Sequence, residues 1–226
     1  MIIGAGPGNG AAFARRFAAA GFRLVLAARN RTALAALAAE LPDAHPCPYD
    51  AGDPESAREI AALEGRYGAI DTLVYNAGNA VFGNIEQIAL ADFEQAWRVN
   101  ALGLAAAAKA FAPHMSARRH GNIVVIGATA SLRGGANFAG FAAAKAAQRS
   151  LAQSLARHLG PAGVHVAHVV IDGIIDSPLA RERFGDRPES CFLKADDIAE
   201  AVYGLTRQRP SAWTFELDLR PAAEPW

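Results

Sequence analysis

Gly4-Ala5-Gly6-Pro7-Gly8-Asn9-Gly10 places four glycines in seven residues. The apolar start Met1-Ile2-Ile3 precedes it. Phe13-Ala14-x-x-Phe17-Ala18 follows, spaced to put its apolar residues on one face of a helix. The order is strand, glycine-rich turn, helix. Glycine is required where the backbone turns through positive φ and where a pyrophosphate must come close to the chain. The helix N-terminus then faces the phosphates. Gly4, Gly8, Asn9 and Gly10 are the expected phosphate-side positions. A plain strand-to-helix turn would not need so many glycines. Three residues are few for a buried strand, where about five or six are usual. The expectation is that the first strand begins upstream of Met1, as a late start-site assignment would explain.

Outward from that loop, Phe22 to Arg29 reads as a second strand. An acid at its end would accept hydrogen bonds from the ribose 2′-hydroxyl of NAD. Ala28 stands there, followed by Arg29-Asn30-Arg31. A guanidinium binds a 2′-phosphate bidentately, so NADP(H) is favoured over NAD(H). The alternative is that Arg29 and Arg31 are surface charges at a helix start. Thr32 to Leu41 reads as that helix. Ala44 to Asp50 is a third strand whose prolines suit a sheet edge. Asp53-Pro54 opens a third helix. Ile70 to Gly78 is the fourth strand and its exit, and Asp92 to Asn100 begins a long fourth helix. Gly121 to Ile126 is a continuous apolar run, as a parallel strand covered on both faces requires. A helix from Phe138 to about Leu159 and a strand from Val164 to Ile171 follow. His165 and His168 fall on opposite faces of that strand, so no paired metal site is expected. The segment from Pro178 to Lys194 looks like a lid. A helix starting at Asp196 and an alternating strand from Trp213 to Leu219 close the chain. Strands alternating with helices predict one doubly wound parallel α/β domain over residues 1–226.

Composition narrows the function classes. The 226 residues carry 22 Lys+Arg and 22 Asp+Glu, and this balance argues against a basic nucleic-acid footprint. The longest apolar run, Ala101 to Pro113, is broken by Lys109 and is too short to span a bilayer. No signal peptide is visible. Cys47 and Cys191 are too few for a disulfide framework, so a cytoplasmic location is expected.

Gly127-Ala128-Thr129-Ala130-Ser131 and Phe141-Ala142-Ala143-Ala144-Lys145 complete the pattern. With the glycine loop, these stretches resemble the short-chain dehydrogenase/reductase family over essentially the whole chain. The wording of Gly127 to Gly134 and of Ser211 to Glu216 resembles a bacterial subgroup that also reads Phe-x-x-x-Lys. The resemblance implies a Rossmann-like sheet of about seven strands in the order 3-2-1-4-5-6-7, with helices on both faces. It implies that Asp50 meets the adenine amino group, although Asp50 alone could equally cap the next turn. Asn76, Ala77 and Gly78 match the family turn beneath the adenosine ribose, with Tyr75 replacing an Asn. Asn100 matches the Asn that kinks the fourth helix and holds a water beside the Lys, and Lys145 is the ribose-binding Lys. Gly173, Ile175 and Ser177 match the loop that holds the nicotinamide carboxamide, with Asp172 replacing its Pro. Pro7 stands where some NADP-binding relatives carry a basic residue. Pairing through the two long helices implies a homodimer or homotetramer.

Two hydroxyls of the family are missing. Phe141 stands at the Tyr position and, thirteen residues earlier, Ala128 at the Ser position. A positioned general acid contributes about 10²–10⁴-fold in rate, and an oxyanion donor roughly 3 kcal/mol. Carbonyl reduction by the Ser-Tyr-Lys route is therefore not expected. Thr129 and Asp172 are candidate replacement donors, while Asp172 could equally cap the lid helix. The expectation is an NADP-dependent oxidoreductase with a non-standard site, acting on a small carbonyl or hydroxyl compound that the sequence does not name. The alternative is a catalytically inactive NADP-binding protein acting as a sensor or partner subunit.

Overall fold

The computed structural model describes residues 1–53 and 55–223, the side chains of residues 57, 58, 178 and 179 excepted. Pro54, expected in the first turn of the third helix, lies outside the described residues. Seven parallel strands form the sheet: β1 (Ile2–Ile3), β2 (Leu24–Ala28), β3 (Ala44–Pro48), β4 (Thr72–Tyr75), β5 (Gly121–Ile126), β6 (Val164–Ile171) and, last in the chain, β9 (Glu216–Leu219). Their order is β3-β2-β1-β4-β5-β6-β9, the arrangement the resemblance implied. β5 and β6 are buried at every position, which explains their unbroken apolar runs. β3 carries Pro46 and Pro48 and lies at an edge, where a missing N–H costs no ladder bond.

Successive residues of a strand point to opposite faces, and the sheet divides its side chains into two cores accordingly. Ile2, Val74, Val124 and Val169 pack against α1 (Asn9–Ala19), α2 (Arg31–Ala39) and α9 (Ala195–Thr206). Ile3, Leu73, Tyr75, Ile123 and Val125 pack with Leu104, Phe111 and Met115 of α6 (Gly103–Arg118) and with Ala152 and Leu159 of α7 (Ala139–Leu159). The short helices α3 (Ser56–Ala61) and α4 (Leu63–Tyr67) flank this second layer through Ile60 and Leu63.

Two details differ from expectation, and a third gives an expected feature its form. Asn100, where the resemblance implied a kink in the fourth helix, lies in a π-helical turn, Arg98–Leu102, between α5 (Leu90–Trp97) and α6. Tyr75 explains part of this. Its hydroxyl donates to Val99 O at 2.5 Å, and burial raises its phenol pKa far above normal. Gly103 gives it room, because a Cβ there would sit 2.3 Å from that hydroxyl. The lid segment holds α8 (Pro178–Phe184) and a two-stranded parallel pair, β7 (Ile174–Ile175) with β8 (Phe192–Leu193). The last strand begins at Glu216 rather than Trp213. Trp213 stacks on His165 with ring centroids 5.0 Å apart, and Thr214 N donates to Gln208 Oε1. His165 bonds Thr214 O, whereas His168 faces Glu216. Among the described residues no helix is long and apolar enough to cross a membrane.

A Cβ on Gly10 would meet Gly4 O at 2.3 Å, whereas one on Gly204, exposed in α9, would meet nothing within 4 Å. In urea denaturation Gly10→Ala should lose about 1–3 kcal/mol and Gly204→Ala should gain about 0.5–1 kcal/mol. Equal midpoints for the two variants would contradict this packing.

Candidate active site and cofactor cleft

The glycine loop builds the cleft. Gly4 takes φ 90°, and a Cβ on it would lie 2.5 Å from Ala77 N. Asn76 Nδ2 donates to Gly4 O at 2.8 Å, tying the β4 exit to the loop. Gly8 takes φ 83° and precedes α1, with nothing within 4 Å of a Cβ placed there. Asn9 is buried, and its Oδ1 has no partner among the described residues. Gly4, Gly6, Ala28, Arg29, Asp50, Asn76, Ala77 and Gly78 line one cleft of about 610 Å³. Arg29 is exposed, with no hydrogen bond or ion pair among the described residues. Asp50 Oδ1 accepts from Gly52 N at 2.9 Å, and Asp50 lines the cleft. Tyr49 forms part of the wall, and burial pushes its phenol up to about 12.

Gly78 joins this cleft to the Lys145 site. A Cβ on it would lie 3.4 Å from Asn100 Oδ1 and 3.8 Å from Lys145 Nζ. Asn100 is fully buried in the π turn, and its Nδ2 donates to Asn79 O at 3.0 Å and to Ala96 O at 2.9 Å. Lys145 Nζ donates to Ile126 O and to Gln148 Oε1, each at 2.9 Å. Gln148 Nε2 donates to Asn100 O at 3.0 Å. Gln148 was not among the expected site residues. The available signal was a glutamine one turn after Lys145 on an otherwise Ala-rich helix. The Asn100 carbonyl thus accepts from a side chain that sits beside Lys145. Burial lowers the Lys145 ammonium to about 7.

The positions of the missing hydroxyls are apolar in fact. Phe141 lies 5.8 Å from Phe82, ring centre to ring centre, and Phe82 lies 5.2 Å from Phe138, both edge to face. The Lys145 nitrogen is 6.0 Å from the Phe141 ring. Ala128 is extended at the end of β5. Thr129 and Asp172, the candidate replacement donors, meet each other: Thr129 Oγ1 donates to Asp172 Oδ1 at 2.5 Å. The other Asp172 oxygen pairs with Arg220 at 2.8 Å. Asp172 does not cap the lid helix; Ser177 does, accepting from Ala180 N at 3.2 Å. Gly173 takes φ 153° before β7, which contains Ile175, so Gly173, Ile175 and Ser177 lie along one loop at the end of β6.

Within that loop, Asp176 accepts from Arg181 at 2.6 and 2.8 Å and from Lys194 at 2.7 Å. Glu189 pairs with the same two cations. The Arg181 guanidinium lies 3.9 Å over the Phe192 ring. Among the described residues no His/Cys/Asp/Glu cluster could hold a metal ion.

The family described as short chain dehydrogenase matches residues 1–188. The 2-(R)-hydroxypropyl-CoM dehydrogenase of Xanthobacter autotrophicus is 32% identical over 226 residues, covering 95% of this chain and 89% of that protein. The alcohol dehydrogenase of the archaeon Thermococcus sibiricus, solved with 5-hydroxy-NADP, superposes with a TM-score of 0.87 at 28% identity, covering 99% of this chain and 97% of that one. The closed form of serine dehydrogenase complexed with NADP+ gives 0.90 at 26% identity, covering 100% and 97%.

The Lys145 site carries a pH signature. Its ammonium falls from 10.5 to about 7 on folding, so the folded chain holds fewer protons between those values and stability rises with pH across that window. From pH 8 to 9 the gain should be on the order of 1 kcal/mol. Lys145→Met should flatten that slope in urea denaturation. A wild-type slope of zero would contradict the buried amine.

Proposed function

The chain belongs to the short-chain dehydrogenase family, and from that membership we propose that it is an NADP-dependent oxidoreductase with an altered proton-donating site. The observation that carries the cofactor assignment is the Arg29 guanidinium at the end of β2, without a partner among the described residues, on a cleft with no acid at position 28. The dinucleotide fits the residues present. Gly8 leaves open space at the start of α1, and Asn9 Oδ1 is a buried acceptor without a partner among the described residues. When bound, the nicotinamide supplies or accepts hydride. The residues proposed to hold it are Gly4, Gly8, Asn9 and Gly10 toward the pyrophosphate, Arg29 toward the 2′-phosphate and Asp50 toward the adenine. Asn76, Ala77, Gly78 and Lys145 would border the riboses, and Gly173, Ile175 and Ser177 the carboxamide. Asn100 would support Lys145 from the π turn. The relatives solved with NADP ligands support this reading.

Phe141 donates no proton and Ala128 no hydrogen bond. Substrate reduction by this chain therefore depends on Thr129, Asp172 or solvent. A second reading, an inactive NADP-binding sensor or partner subunit, is favoured by the closed Thr129–Asp172–Arg220 set, in which both carboxylate oxygens already accept.

Titration should give tighter binding of NADP⁺ than of NAD⁺, and Arg29→Ala should abolish the difference; equal wild-type affinities would end the 2′-phosphate assignment. NADPH oxidation over a panel of aldehydes, ketones and quinones separates the two readings. Wild-type activity lost in Asp172→Asn supports the substituted donor. Activity that appears only in Phe141→Tyr, gained by about 10²-fold or more, supports the inactive binder.

A further inference from the structure

Gln148 is 0% exposed, on the inner face of α7. Its helical neighbours Ala144 and Ala152 are buried alanines. A buried carboxamide is costly unless each polar end is paired, and an aliphatic side chain would fill the same space without that cost. Both ends of Gln148 are paired, and both partners belong to the site. Nε2 donates to the Asn100 carbonyl at 3.0 Å, and Oε1 accepts from Lys145 Nζ at 2.9 Å. One continuous chain of bonds therefore runs from Asn79 O through the Asn100 amide group and backbone carbonyl to Gln148, then Lys145, and ends at Ile126 O. It links the β4 exit, the π turn, α7 and the end of β5. Two of the amine's directions are taken by Ile126 O and Gln148 Oε1, and Gly78 adjoins the nitrogen on the cleft side.

We propose that Gln148 is the positioning residue for Lys145, clamping the amine against the π turn so that its remaining direction is presented to the cofactor cleft at Gly78. Gln148 acts through Lys145 and touches neither cofactor nor substrate. Its effect on dinucleotide affinity rests on the proposed function, whereas its hold on the amine does not.

The chain has three lysines, Lys109, Lys145 and Lys194, so selective ¹³C labelling of lysine gives three assignable signals for titration by NMR. An amide oxygen facing the nitrogen favours the charged amine, and a carboxylate there favours it more. In Gln148→Glu, a nearly isosteric change, the Lys145 midpoint should rise by at least one pH unit. In Gln148→Met it should fall below the wild-type value. NADP⁺ affinity at pH 7 should weaken at least five-fold in Gln148→Met and be largely retained in Gln148→Glu. Lys109 and Lys194 should not move in either variant. If either variant folds and its Lys145 midpoint stays within about 0.3 of wild type, the clamp is wrong. Shifted midpoints together with no dinucleotide binding by any protein, wild type included, uphold the clamp and remove the functional reading on which the affinity effect depends.

Discussion

Three backbone segments meet at a point where no side chain fits, and the rest of the architecture follows from that meeting. Gly4 would collide with Ala77 through a Cβ, and Gly10 would collide with Gly4 O. Asn76 fastens the junction by bonding Gly4 O. Because the strand exits of β1 and β4 are pressed together there, α1 must start at the same spot, with its N-terminus on the cleft. A backbone approach this close is available only to glycine. The cleft is thus a product of the contact that packs the first helix onto the sheet.

Among the residues proposed to border the dinucleotide, Asn9, Arg29, Asp50, Asn76, Lys145 and Ser177 are polar. At the two positions where the family carries hydroxyls, this chain carries a phenyl ring and a methyl group. The ring is not an isolated substitution, because Phe82 and Phe138 stand edge to face with it and its neighbour. The hydroxyl of Thr129, the residue after Ala128, is committed to a carboxylate which Arg220 also holds. Lys145 meanwhile keeps a buried amine that releases its proton near neutrality.

What could be read from the chain alone was what depends on short spacings. The glycine loop, the unbroken apolar strands, the prolines of β3 and the Phe141–Lys145 spacing are local patterns, and the sheet order followed from them through the family resemblance. The misses share a physical cause: each depends on an approach between segments distant in the chain. A kink at Asn100 was legible through the resemblance, but the bond of Tyr75 to Val99 O, 24 residues away, was not. Thr129 meets Asp172 across 43 residues, and Gln148 meets Asn100 across 48. The β7–β8 pair is two residues long on each side, too short to show any alternation. Trp213 has the composition of a strand, yet its stack on His165 is a tertiary contact that no periodicity records.

The cluster that steadies α8 is built on a different force from the two cores. Asp176, Glu189, Arg181 and Lys194 neutralise one another near the surface, with side chains 23–63% exposed. Added salt leaves apolar burial intact or strengthens it, whereas exposed charge pairs weaken as the Debye length contracts from about 10 Å at 0.1 M to 3 Å at 1 M. A concentrated brine therefore acts on this small buttress first, slackening α8, whose Arg183 guanidinium lies 5.8 Å over the Phe82 ring, while the sheet and its two cores stay intact. Ionic strength is in this way a handle on one corner of the molecule.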